Sequence, residues 1–505
     1  MELKVFRDTL SAAGSFCTVK SEIPIETEIL ISDYLPQVFK IVKCFVKMVV
    51  LQKQLQSGRL TLDGYLRCVV YYQGENGQGL CQAEQKLPFN KALELPELEY
   101  SAWSAIVGGE TEYLNCRAVN QRRVEVRGAY SIAASVFTQL QQEVITAVSD
   151  CGTEQKQLAL SGTKSCASLD KLITADSEFD FEQPPAAVLD VTGLAQVREM
   201  KVISGKVVVK GEIAAQLAYR TGPEDTLLDQ KITLPFNQIL DIDGLSEDCK
   251  CFCTVEPVGF TLSSAEEGEG KNQLSVSAML HLRAFRDYEI DIVSDVFSTQ
   301  FETESAANEI LAETLEKEIG ESETVQVAVP LSEESAQLTA CFATLAAPEL
   351  APAGDKTQLR VRGLATALYK NSLGEIESAD KPFELTVPLA GTAKAEDLHV
   401  ECWAGVENIA AGSSGGMAEL SVSLRLDGFV LCRRRYPGVA SVTVGELLQP
   451  ADPEVALRIY YAHTGEQVFD IARRFHVSPG EMMRVNELSE ETLSAGRRLL
   501  VPGVG

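Results

Sequence analysis

Ser57–Gly77 reads SGRLTLDGYLRCVVYYQGENG. Its apolar residues Leu60, Leu62, Leu66, Cys68, Val70 and Tyr72 fall on every second position. Side chains two apart on an extended chain share a face, so this is the pattern of a half-buried strand. The stretch returns twice. Ser204–Thr226 reads SGKVVVKGEIAAQLAYRTGPEDT, with Val207, Val209, Ile213, Ala215, Leu217 and Tyr219 on one face. Lys356–Glu375 reads KTQLRVRGLATALYKNSLGE. Gly64, Gly211 and Gly363 occupy the equivalent point in the three copies. A glycine inside a strand marks a bulge, a bend or a close backbone approach.

Two further markers keep the same order. Pro88-Phe89, Pro235-Phe236 and Pro382-Phe383 follow the three strands at intervals of 147 residues. Another alternating strand begins at Arg123, Gln273 and Glu419 (RVEVRGAYSIAASV, QLSVSAMLHLRAF, ELSVSLRLDGFVL). Ordered markers at one long period indicate tandem duplication, and the period is too long for a solenoid repeat. Short alternating segments between turn signals such as GENG, SSAEEGEGKN and AAGSSGG indicate antiparallel sheets.

The expected fold is mainly β: three tandem antiparallel β-sandwich-like domains over 1–140, 150–300 and 321–445, then a small βααβ domain over 456–503. The three are expected to form an extended body. The third copy is degenerate. Its interval from Gly363 to Tyr369 is shorter, and LAAPELAPAGDK breaks its entry strand. Glu304–Gly320 has irregular apolar positions and fits either a connecting helix or a partly extended linker.

The 505 residues carry a formal net charge of −27, which opposes binding to nucleic acid or anionic membranes. The N-terminal stretch is interrupted by Glu2, Lys4, Arg7 and Asp8 and lacks the apolar run of a signal peptide. The most apolar early stretch, IVKCFVKMVVL, is short and carries Lys43 and Lys47, so no membrane insertion is expected. Thirteen scattered cysteines argue against a disulfide framework and for a reducing, cytoplasmic setting. Cys249, Cys251 and Cys253 form the one cluster, read as buried strand cysteines rather than a metal site.

After Pro450 the texture changes. QPADPEVALR is a Pro-bearing linker and RIYYAH a short strand. Val468, Ile471, Ala472 and Phe475 make one apolar helical face. Ser478, Pro479 and Glu481 have the spacing of a capping box opening a second helix, with Met482 and Val485 on its buried side. Arg498–Val501 closes with a strand stopped by Pro502.

This terminal stretch resembles the LysM domain at Tyr460, Gly465, Ile471, Ala472, Val477, Ser478, Asn486, Gly496, Leu499, Val501 and Pro502. It departs from the family at Glu466 and Gln467, where Asp-Thr follows the glycine, and at Arg497, where Gln is usual. The resemblance implies a groove for N-acetylglucosamine chains or another partner at Gly465, Glu466, Gln467, Val468, Phe469, Asn486, Leu488, Ala495 and Gly496. The larger copies, over Asp33–Tyr72 and Pro184–Tyr219, resemble the SPOCS domain, and VSDVFSTQ from Val293 resembles that domain's exit segment. SPOCS units followed by LysM are the arrangement of SipL-like spore coat morphogenesis proteins. That resemblance implies a mother-cell cytoplasmic protein at the forespore surface. Its LysM domain would bind the coat base-layer ATPase (SpoIVA type), and its β domains other coat proteins.

No His-Glu-x-x-His or phosphate-loop motif occurs, and the Gly-x-Ser-x-Gly spacing falls once, at Gly412–Gly416, inside the turn signal AAGSSGG rather than at a strand-to-helix elbow. His463 and His476 read as turn residues. The expectation is a non-enzymatic adaptor needing no cofactor or metal. The alternative is a peptidoglycan-binding protein of the wall or cortex.

Overall fold

The computed structural model describes residues 3–75, 79–96, 102–221, 227–263, 271–354, 356–389, 394–449 and 457–502. Parts of the expected turns at GENG and SSAEEGEGKN, and most of the linker before Arg458, lie outside them. The first six strands are β1 (Lys4–Leu30), β2 (Val38–Gln56), β3 (Arg59–Gly74), β4 (Leu80–Glu94), β5 (Ala102–Asn120) and β6 (Arg123–Ser149). They form two three-stranded antiparallel sheets, ordered β1-β6-β5 and β2-β3-β4. The next six repeat the plan: β7 (Thr153–Phe179), β8 (Pro185–Ile203), β9 (Lys206–Thr221), β10 (Leu227–Asp241), β11 (Lys250–Ser263) and β12 (Asn272–Ser298). Their sheets run β11-β12-β7 and β10-β9-β8.

The third set is β13 (Phe301–Pro330), β14 (Gln337–Leu345), β15 (Glu349–Ala353), β16 (Lys356–Lys370), β17 (Ile376–Pro388), β18 (Leu398–Ser414) and β19 (Met417–Leu447). Here β13-β19-β18 form one sheet, while β14, β15 and β17 all pair with β16 in the other. In each unit the inner faces of both sheets share a core. Leu60, Leu66, Val124 and Ile132 meet in unit one, and Val207, Ile213, Leu274 and Leu280 in unit two.

The repeated markers explain the plan. Gly64, Gly211 and Gly363 stand directly opposite Phe89, Phe236 and Phe383 on the neighbouring strand. A Cβ on Gly211 would lie 2.3 Å from the Gln196 carbonyl oxygen and 2.4 Å from the Phe236 ring. On Gly64 it would lie 2.0 Å from the Val49 oxygen. The other neighbour bulges at that level, between Val50 and Gln52 and between Val197 and Glu199. In unit three the bulge widens into the gap between β14 and β15, which holds Pro348. The tyrosines that end the strand tether the crossover between sheets. Tyr72 donates to the Pro36 carbonyl at 2.9 Å, and Tyr219 and Tyr369 accept from the Gln183 and Ser332 N–H groups at 3.3 Å.

Four expectations need correction. Glu304–Gly320 is neither helix nor linker but part of β13, paired along its length with β19. A bulge at Glu316, between Leu315 and Lys317, interrupts its period of two, so the alternation was hidden. Cys44 and Cys116, on β2 and β5, are joined by a disulfide across the two sheets of unit one, a spatial pairing that scattered spacings cannot reveal. Cys249 precedes β11 rather than lying on it, while Cys251 and Cys253 lie half-buried on that strand.

The body is also not extended. The last strands of the units meet at equivalent positions: Ile145 and Val148, Val293 and Val296, Val439 and Val442 form one cluster. Leu10, Leu160 and Ile310, the matching residues of the first strands, share another. The three units therefore pack around a common line.

A buried ionic network ties them. Arg283 holds Glu401 through Nε at 2.9 Å and Asp170 through Nη1 at 2.9 Å. Lys53 of unit one reaches Asp170 at 2.6 Å, and the Ser104 hydroxyl donates to Glu401 at 2.5 Å. His281 bonds Asp170 at 2.9 Å, and His399 lies 3.3 Å from Glu401 and stacks on Phe137 at 3.6 Å. Burial pushes the Glu401 carboxyl up, but the Arg283 and His399 charges and the Ser104 hydrogen bond prevail and hold it at about 2. The network borders a cavity of about 2140 Å³ between the units.

Candidate functional site

The terminal module is built from β20 (Arg458–Ala462), α1 (Val468–Phe475), α2 (Pro479–Val485) and β21 (Arg497–Val501). The two strands pair antiparallel with Tyr460 opposite Leu499. Val468, Ile471 and Ala472 are buried and Phe475 half-buried, as the helical spacing requires. Asp470 in the first turn and Arg473 and Arg474 in the last complement the helix dipole. His476 takes the left-handed position that ends α1, with φ 53°. At α2, Ser478 has N-cap geometry and Pro479 opens the helix, but the Ser478 side chain makes no capping bond. Glu481 instead pairs with Arg484 at 3.4 Å, one turn along, so the capping box does not form. Val485 faces out, and Met482 alone of the two is buried.

The two loops of the expected groove are hydrogen-bonded to each other. The Gly465 N–H donates to the Leu493 carbonyl at 2.8 Å, Leu493 N–H to Glu466 at 3.0 Å, and Val468 N–H to Glu491 at 2.8 Å. Gly465 adopts φ 88°, which favours glycine, and the Gly496 N–H donates to the Thr464 hydroxyl at 3.1 Å. Glu466 supplies the acceptors for this turn. Its carboxylate takes the His463 N–H at 2.8 Å and the Tyr460 hydroxyl at 2.9 Å, and those bonds hold it below the usual carboxylate range.

The expected groove residues divide by what their side chains face. Val468, Phe469 and Asn486 are buried. Asn486 donates to the Met482 and Leu500 carbonyls at 2.9 and 2.8 Å and accepts the Leu500 N–H at 2.7 Å. Its amide is occupied in joining α2 to β21. Gly465, Ala495 and Gly496 are exposed, and Glu466, Gln467 and Leu488 are half-buried.

Gln467 and Phe469 face unit two. The Lys156 ammonium bonds the Gln467 side chain and lies 5.9 Å over the Phe469 ring. Phe297 packs edge-on to Phe469 at 5.2 Å and joins the module's core. Arg473 pairs with Asp295 at 2.7 Å, and His476 Nδ1 donates to the Ser298 carbonyl at 3.1 Å.

These body residues are absent from the groove expected from the sequence, though a signal existed. The last strands of the three units bulge at Thr146, Ser294 and Ala440, which aligns the copies. At the positions of Asp295 and Phe297, unit one has Ala147 and Ser149, and unit three has Ser441 and Thr443. Only the second copy carries the acid and the aromatic.

Sandwich units joined into one body and ending in a βααβ module define a multidomain, β-rich class of protein. Residues 37–119 and 186–262 match the family model described as SipL, SPOCS domain, and residues 463–502 match the LysM domain. The SPOCS match runs from β2 to β5 and again from β8 to β11. It leaves out the VSDVFSTQ exit segment. No curated protein and no solved structure matches the chain. The two kinds of domain support a sporulation-related protein carrying a LysM module, a module type associated with peptidoglycan. No helix among the described residues is long and apolar enough to cross a membrane.

Proposed function

We propose that this chain is a non-enzymatic scaffold of spore envelope assembly. Its LysM module docks on a protein partner, the polymerised coat base-layer ATPase, and its β units gather further coat proteins in the mother cell at the forespore surface. The observation that carries this reading is the state of the groove. The Asn486 amide is fully engaged inside the module, and Gln467 is engaged by Lys156 of the body. A sugar-binding groove needs free, convergent polar groups to orient its ligand. A module clamped to a rigid body suits a geometric adaptor, because rigid linkage sets the effective concentration of several binding sites.

The test uses the full chain, since Phe297 belongs to the module's core. Sedimentation with the polymerised ATPase and with insoluble peptidoglycan is compared. Retention by the ATPase alone supports the scaffold. Retention by peptidoglycan alone, lost with Glu466→Ala, replaces it with wall binding. That second reading draws on the exposed Gly465 and Gly496 backbone and the half-exposed Leu488 beside it.

A further inference from the structure

One side of unit one is closed by sulfur. Cys44 on β2 and Cys116 on β5 are joined, and these are edge strands of different sheets. Among the described residues no main-chain hydrogen bond links the two strands. The seam between them is held at one end by Lys53, whose ammonium donates to the Ala105 carbonyl at 2.8 Å, and at the other by the bridge. The repeated plan does not require that bridge. By register, unit two has Val191 and Phe260 at the positions of Cys44 and Cys116, and both pack into its core cluster. The other eleven cysteines are free. A chain built this way is not built for an oxidising compartment, and disulfides in reducing compartments are usually transient and redox-sensing.

Cys44 also lies inside the strip of β2 that docks on unit three. Lys40 pairs with Glu375 at 2.7 Å, and the Val42 carbonyl accepts the Ser378 hydroxyl at 3.0 Å. Lys43 pairs with Asp380, and the Phe45 ring meets Phe342 edge-on at 5.7 Å. β2 bulges at Phe39 and Val42, so its ladder with β3 is interrupted along this strip. The bridge to β5 pins the strip from the other sheet. Cys44 is half-buried and borders the cavity between the units, so a small solute can reach its sulfur.

We infer that the Cys44–Cys116 bridge is a redox switch on the joint between units one and three, opened by a low-molecular-weight thiol and closed by that thiol's disulfide. The thiolate of the small molecule attacks the Cys44 sulfur. The protein S–S bond breaks, and Cys116 leaves as a thiolate and takes a proton. A second small thiolate attacks the outer sulfur of the mixed disulfide, and Cys44 leaves and is protonated in turn. Two small thiols become one small disulfide, and the protein bridge becomes two thiols; closure is the same exchange reversed. Opening releases the strip Lys40–Phe45 from β5 and loosens its seat on unit three, while units two and three stay joined through Arg283 and Glu401. That the cell supplies such a thiol rests on the mother-cell reading above; the chemistry of the bridge does not.

The test holds the full chain in a series of reduced and oxidised glutathione mixtures at pH 7, traps thiols by alkylation and maps the peptides by mass spectrometry. The Cys44–Cys116 linked peptide should dominate at the oxidising end and give way to two alkylated peptides at the reducing end. Hydrogen exchange across Lys40–Phe45 should rise about tenfold on reduction, with the β9 amides of unit two unchanged. Cys44→Ser should show the faster exchange in every mixture, and Cys341→Ser should keep the wild-type response. A bridge that persists in every mixture is a fixed structural bond, and a bridge that forms in none does not exist; either overturns the inference, as does reduction that leaves exchange in Lys40–Phe45 unchanged. The wild-type measurements stand without any variant. They do not depend on retention by the ATPase, so the switch and the scaffold can fail separately.

Discussion

Units two and three share one strand plan and differ in how they fill it. In unit two a single continuous core runs from Phe179 through Leu217 and Leu234 to Leu282. In unit three the core is split into two smaller clusters, around Leu359 and Leu426 and around Ala365 and Leu420. Its second strand is divided, its SPOCS match is absent, and alanines stand at 365 and 367, two and four residues past the strand glycine, where unit two has Ile213 and Ala215. Yet unit three supplies the buried Glu401 and the half-buried His399 and Trp403, the groups that lock the units together. The comparison teaches that the plan survives on a few backbone devices, while the side chains of a copy are free to be spent on contacts with its neighbours.

The largest effect should come from the lock. Glu401→Ala leaves Arg283 buried with half its partners and should cost about 3–5 kcal/mol in urea unfolding. An unchanged midpoint would show that the units are joined by their apolar stem alone. The lock should also have a pH window. With the Glu401 carboxyl held at about 2, its contribution is present above the ordinary carboxylate range and is lost as pH falls toward 2. Burial lowers the His399 value, but the Glu313 and Glu401 bonds outweigh it and leave it raised. Its contribution is therefore present below the ordinary histidine range and fades as pH rises through the folded value. Thermal midpoints at pH 3, 6 and 9 should be highest at pH 6, and Glu401→Gln should flatten the acid limb.

The backbone devices come next. Gly211→Ala meets a carbonyl of the next strand and should cost about 3 kcal/mol, whereas Gly363→Ala first meets the Phe383 ring, which can shift, and should cost about 1 kcal/mol. Equal costs would mean that the wider gap in unit three gives no relief.

Phe297→Ser installs the residue that unit one carries at that position. It should weaken the seat of the LysM module by about 2–3 kcal/mol and raise hydrogen exchange in Val468–Phe475 while unit two stays protected. Exchange unchanged in α1 would show that Lys156 and Asp295 suffice to hold the module. The smallest effect is expected of Tyr219→Phe, about 1 kcal/mol for one hydrogen bond to the crossover. Tyr369→Phe should cost more than that, because its hydroxyl also donates to Glu377 at 3.0 Å.

Much of this architecture was legible because the signals are local and periodic. The face of Leu60, Leu62, Leu66, Cys68, Val70 and Tyr72 is fully buried, as alternation requires. The βααβ order of the module followed from the helical spacing of Val468, Ile471 and Ala472. Legibility failed where the period was broken or the partner was distant. β13 was obscured by the bulge at Glu316, and no helix signal in Glu304–Gly320 could outweigh pairing with a strand that lies more than a hundred residues away. The expected groove residues raise a different point. Asn486 and Gln467 have the right chemistry for a ligand, but their bonds are made inside the chain, and a sequence does not say who reaches them first.

The sequence by itself determined three alternating units, their glycine, phenylalanine and tyrosine markers, and a small helical module at the end. Each of these follows from side chains a few residues apart or from repetition. Only the tertiary structure decided that the units gather around one line, that Arg283, Asp170 and Glu401 meet there, and that the module rests on Phe297. Those contacts join residues more than a hundred positions apart. They depend on which faces remain after each sandwich has closed, and no local pattern encodes that.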